Sequence, residues 1–154
     1  MRAFHMYKTI LAAIELTEDA ASRVLRRAAT LLAPGGKLIV AHVVEPQYVQ
    51  YSFDPTFTGS LNHELEAQAI ATATGRLAEL CAAFSRAEKV SVDAQIIVLG
   101  RAADRIHDLA RDHSAEVIVV GAHNQQGWHR LLGSTANAVL HGAPVNVLVT
   151  RLPG

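Results

Sequence analysis

The sequence predicts an α/β protein: one domain over residues 1–154, an open five-stranded parallel sheet with helices on both faces. Three observations carry this. Five short runs rich in Ile, Val and Leu recur along the chain, "TILAAI" (9–14), "KLIVAHVV" (37–44), "AQIIVL" (94–99), "EVIVVGA" (116–122) and "PVNVLVT" (144–150). Most do not alternate with polar residues, so both faces of each strand are covered, as in a parallel sheet between helical layers. Segments of helical spacing separate them, and strand–helix alternation with right-handed crossovers builds such a sheet. The 154 residues, half of them apolar, suit a single sizeable core.

The first helix opens at Thr17, an N-cap candidate followed by Glu18 and Asp19, where acids complement the helix dipole. Ala21, Val24, Leu25, Ala28, Leu31 and Leu32 follow helical spacing as one stripe, and Pro34-Gly35-Gly36 ends the segment. After the second strand, "EPQYVQYSFDPTFTGS" reads as a loop. A second helix then runs from about Asn62 to Phe84, favoured by its alanine content despite Gly75. The third helix, "AADRIHDLARDHSAE", presents Ile106, Leu109 and Ala110 on one face. The fourth starts near Ser134 and ends at Gly142-Ala143-Pro144, with Gly142 as its C′ residue.

Composition excludes several classes of partner. Fourteen basic residues balance fourteen acidic ones, and no basic run or basic-aromatic interleaving suggests nucleic acid or an anionic membrane. No purely apolar run exceeds five residues, against roughly 20 for a membrane span. A single cysteine, Cys81, and an N-terminus without a signal-like apolar core lead to the expectation of a soluble cytoplasmic protein. The eight histidines show no zinc-ligand spacing, so no metal site is expected. Cys81 sits mid-helix on an apolar face and reads as a small core residue. His42 reads as a hydrogen-bonded core or rim residue, and Trp128 as a packing anchor.

The stretch "VIVVGAHNQQGWHRLLGSTANAVLHG" (117–142) leaves the fourth strand at its C-terminal end, where ligands of open α/β sheets sit. Gly133, Ser134 and Thr135 open a helix, and unpaired amides there suit a phosphate; alternatively Ser134 merely caps the helix. Neither a P-loop nor a dinucleotide G-x-G-x-x-G is present. Nor is there an acid–base or nucleophile constellation. Arg101, after Gly100, is either a phosphate neighbour or a solvated loop residue.

"TILAAIEL", "AHVVE", "VLGRAADRIHDLARDHSAEVIVVGAHN" and "LLGSTANAVLHGAPVNVLV" together resemble the universal stress protein family over nearly the whole chain. The resemblance implies strand order 3-2-1-4-5 and a non-catalytic stress or regulatory role, with at most slow ATP hydrolysis. It implies a site for ATP, with Mg2+ as accompanying ion, built on the pattern G-x-x-G, a spacer, then G-[ST]. Gly121 matches the first glycine, His123 a frequent histidine and Gly133-Ser134 the closing pair, with Thr135 adding an amide. Glu15 falls where the family contacts ribose and Val43 where its backbone reads adenine, with Ala13 and Val120 on the pocket floor. "NQQGWHRLL" corresponds to a lid from which Arg130 would supply countercharge.

Asn124 replaces the second glycine, Glu15 the usual aspartate, and the spacer is one residue short. The family also has a branch without the glycine pattern, so a ligand-free interaction module is the alternative. In either case the resemblance implies a homodimer joined antiparallel through the final strand, Val145 to Val149.

Overall fold

A computed structural model of the chain describes residues 6–46, 55–123 and 133–152, the side chains of 55–58 and 60 excepted. The elements are β1 (Tyr7–Ala13), α1 (Glu18–Leu31), β2 (Leu32–Val44), α2 (Pro55–Glu88), β3 (Ala94–Leu99), α3 (Ala102–Asp112), β4 (Val117–His123), α4 (Ser134–Leu140) and β5 (Asn146–Leu152). The strands form one sheet in the order β3-β2-β1-β4-β5, and all four pairings are parallel. Strand order reverses between β1 and β4, which opens a crevice at their C-terminal ends.

Side-chain alternation explains why the strands read as continuously apolar. Ile10, Ala12, Ile14, Leu38 and Val40 pack with Val24 and Leu25 of α1 and Leu77 and Phe84 of α2. Leu11, Ile39, Ala41, Ile118 and Val120 pack with Ile106 of α3 and Val139 of α4 on the other face. Leu11, Val40, Ile118 and Val119 are fully excluded from water. Each such side chain contributes about 1.5–3 kcal/mol relative to exposure.

The boundaries differ from the sequence expectations in places with identifiable causes. α1 ends at Leu31 rather than at Pro34, because Leu32 is already extended (φ −76°, ψ 126°) and opens β2 opposite Tyr7. The residue before a proline is also barred from helical backbone, which keeps Ala33 out of the helix. Ala33–Gly36 then bulge out before Lys37 pairs with Thr9, and Gly35 takes φ +74° in the turn. α2 starts at Pro55, inside the stretch expected to be loop. Proline is tolerated at a first helical position, where its missing N–H would be unpaired anyway.

α3 stops at Asp112, short of the expected 116, because Ser114 turns left-handed (φ 52°) and the amide of Ala115 bonds back to the Ala110 carbonyl. Gly142 follows the α4 C-cap with φ +74°, the left-handed C′ position expected of it. β5 runs two residues past the expected Thr150, which matters for the site. Cys81 is 1% exposed in the α1/α2 layer, and burial pushes its thiol up from 9.0 to about 11. Among the described residues, no helix is long and apolar enough to cross a membrane.

Candidate functional site

Backbone beyond the ends of β1, β2 and β4 encloses a cavity of about 380 Å³. Ala13 and Ile14 come from the end of β1, Ala41 to Val44 from β2, and Val120 and Gly121 from β4. Ala20 and Val24 of α1, Ala102 and Ile106 of α3, Thr135 of α4 and Leu152 of β5 complete the walls, with Glu15 and Glu45 at the polar parts. The floor is open because Ala13 and Ala41 are small and sit side by side in register.

The polar groups are held by neighbours. His42 donates from Nδ1 to the Ile14 carbonyl at 2.8 Å, which fixes the orientation of its ring along the wall. Glu45 accepts the Ala102 amide at 3.2 Å, so its charge lies at the N-terminus of α3 and complements that helix's dipole. Glu15 and His123 meet at 2.7 Å between Oε2 and Nε2, each side chain about half exposed. A carboxylate has acceptor sites to spare beyond one imidazole, so Glu15 retains capacity toward a ligand hydroxyl.

Six of the sequence-derived candidates line the cavity directly: Ala13, Glu15, Val43, Val120, Gly121 and Thr135. His123 is tied to it through Glu15. Gly133 is the N-cap of α4, and a Cβ built on it would lie 3.9 Å from the His123 amide nitrogen, so the start of α4 abuts the end of β4. Ser134 is the first helical residue and makes no side-chain cap bond; the reading of Ser134 as the cap gives way to Gly133 in that role. Asn124 and Arg130, with the expected lid and Trp128, lie outside the described residues. Arg101 is exposed and 4.0 Å from Asp104, away from the cavity lining.

Gly121 has a reason specific to this chain. A Cβ there would stand 2.6 Å from Cδ1 of Leu152, which is only 3% exposed, so glycine lets the end of β5 fold over β4. Sequence reasoning missed Leu152 because the apolar run was ended at Thr150. It also missed His42 and Glu45 as wall residues, although "AHVVE" already placed both at the end of a strand. Among the described residues, no group of three or more His, Cys, Asp or Glu stands together as a metal site.

A doubly wound parallel sheet with a cavity at its reversal point is the architecture in which open α/β sheets place their ligand sites. The chain belongs to the universal stress protein family, whose model matches residues 6–151. It is 35% identical over 142 residues to universal stress protein A homolog 1 of Coxiella burnetii, covering 92% of this chain and 94% of that one. The structure resembles a universal stress protein solved in complex with cAMP (TM-score 0.62, 22% identity, 95% and 98% covered). It also resembles the universal stress protein of Archaeoglobus fulgidus in complex with dAMP (TM-score 0.61, 23% identity, 94% and 98% covered).

Proposed function

We propose that this universal stress protein binds an adenine nucleotide, ATP, in the cavity at the ends of β1, β2 and β4, and serves as a regulator rather than an enzyme. The observation that carries the reading is the convergence of Ala13, Glu15, Val43, Val120, Gly121 and Thr135, from four elements, on one enclosed space. Its size falls at the low end of ligand pockets, which run from about 300 to 1,000 Å³, and suits a nucleoside with its phosphates projecting outward. The base lies against the Val43 backbone and the ribose toward Glu15. The phosphates run toward Gly133, Ser134 and Thr135, with Mg2+ and Arg130 as countercharges. The relatives in complex with cAMP and dAMP support an adenine ligand for this fold.

Mass spectrometry of protein purified without added nucleotide, followed by ATP titration, tests the reading. Copurified or titratable ATP at about one per chain is expected. No binding at millimolar ATP, which corresponds to roughly −4 kcal/mol, would exclude it.

A second reading, the nucleotide-free dimeric module, is favoured by β5 itself. β5 ends the sheet, so one side of its backbone has no strand partner among the described residues. A second copy pairing antiparallel through Val145 to Val149 would satisfy those groups, and the dimer is part of the proposed function in both readings. Sedimentation of the parent and of Val147→Lys tests it: a dimer weakened by the lysine is expected, and indistinguishable monomers would exclude the contact.

A further inference from the structure

Outside the cavity, the outer side of α1 and the free edge of β5 enclose a groove of about 650 Å³ lined by Arg23, Arg26, Arg27, Thr30, Leu148 to Thr150 and Arg151. Its lining contains four arginines and, among the described residues, no carboxylate, in a chain whose formal charge is zero. Arg26 is answered by Glu88 of α2 at 3.0 Å. Arg23, Arg27 and Arg151 are exposed and make no ion pair among the described residues. Arg23 and Arg27 stand one turn apart on the same side of α1, so their like charges add.

We propose that two copies paired through β5 create an arginine-lined cleft that takes an extended polyphosphate-class anion across the seam. The inference rests on the dimer reading above. Antiparallel pairing of two edge strands places the twofold axis perpendicular to the sheet, so both α1 helices come to lie on the same face. α1 packs on β1, β4 and β5. With strands about 4.8 Å apart, each helix then flanks the seam at about two strand spacings, roughly 10 Å. Arg23 and Arg27 of both copies face one another across this cleft, with Arg151 of each at the strand edge.

Neither copy brings an acid to the lining among the described residues, so the dimer gathers unneutralised positive charge on both flanks of the seam. A chain of phosphates relieves the repulsion, and guanidinium groups bind phosphate oxygens in bidentate fashion. The cleft is complete only in the dimer, so anion binding and dimerisation are linked.

Sedimentation equilibrium of the full chain at low ionic strength, with and without inorganic tripolyphosphate, tests the proposal. The anion is expected to lower the dimer dissociation constant about tenfold, since it binds the dimer and not the monomer. An Arg23→Gln/Arg27→Gln variant, whose fold is verified by circular dichroism, is expected to dimerise at least as tightly without the anion and to lose the response. A parent dimer indifferent to tripolyphosphate, or an equal response in the variant, would overturn the proposal while leaving the dimer standing. Monomers in every condition and in both proteins would overturn the dimer reading and this inference with it.

Discussion

Two concave regions of this protein divide their charge in opposite senses. The cavity at the ends of β1, β2 and β4 has Glu15, Glu45 and His42 in its lining and, among the described residues, no lysine or arginine. The lining of the α1/β5 groove has four arginines and, among the described residues, no acid. A neutral total therefore conceals a local separation of charge between the two linings. The enclosed space suits the uncharged part of a nucleotide, the base and sugar, against small apolar residues. In the proposed reading, charge at the phosphates is met by helix-terminal amides or an accompanying metal ion. The groove has charge in surplus but little enclosure, which fits a surface-bound polyanion rather than a small molecule.

The two regions meet at the end of β5, where Leu152 lines the cavity and its neighbour Arg151 lines the groove. The largest expected effect therefore comes from Leu152→Ala, which empties a buried position over Gly121 and costs about 2–5 kcal/mol, measured by urea denaturation. Gly121→Ala drives a methyl into Leu152 and costs about 1–3 kcal/mol. Combined, the two substitutions should cost less than their sum, because the smaller residue vacates the clashing space; simple additivity would show that the contact is not what requires the glycine.

Smaller effects probe the groove. Thr150 has a buried hydroxyl with no hydrogen-bond partner among the described residues. Thr150→Val should stabilise the protein by about 1 kcal/mol in thermal unfolding, since an orphaned buried polar group is replaced by a methyl. Gly75, mid-α2 with nothing within 4 Å of a built Cβ, is a control remote from the groove's lining. Gly75→Ala should add about 0.5–1 kcal/mol through helix propensity.

One pH response originates in the core under α1 and α2. The Cys81 thiol, raised to about 11 by burial, stays protonated when folded while the unfolded chain ionises near 9.0. Its contribution to stability is therefore complete below pH 9 and declines as pH rises toward 11. Cys81→Ala should flatten that decline in denaturation midpoints taken across the interval.

The sheet was legible because burial on both faces imposes an unbroken apolar run, as at 37–44 and 116–122, and because Gly142 marks a helix end by its backbone needs. The start of α2 was not, since "DPTFTGS" carries turn-forming residues whose local preference the helix overrides. Six wall residues followed from the family resemblance, five of them at or beside strand ends and Thr135 in the first turn of α4. The Glu15–His123 pair and the Leu152–Gly121 contact were hidden, because each joins residues far apart in sequence whose meeting depends on β4 lying beside β1 and β5. The arginine groove was hidden for the same reason: residues 23–27 and 151 are unremarkable until the sheet order brings α1 to the edge.

Amide chemical-shift mapping of isotopically labelled protein during ATP titration decides between the two regions most directly. The account predicts the largest shifts at Ala13, Glu15, Val43, Gly121 and Thr135, with far smaller ones at Arg23, Arg27 and Arg151. Shifts confined to the arginines of α1 and β5, or no shifts at millimolar ATP, would contradict it.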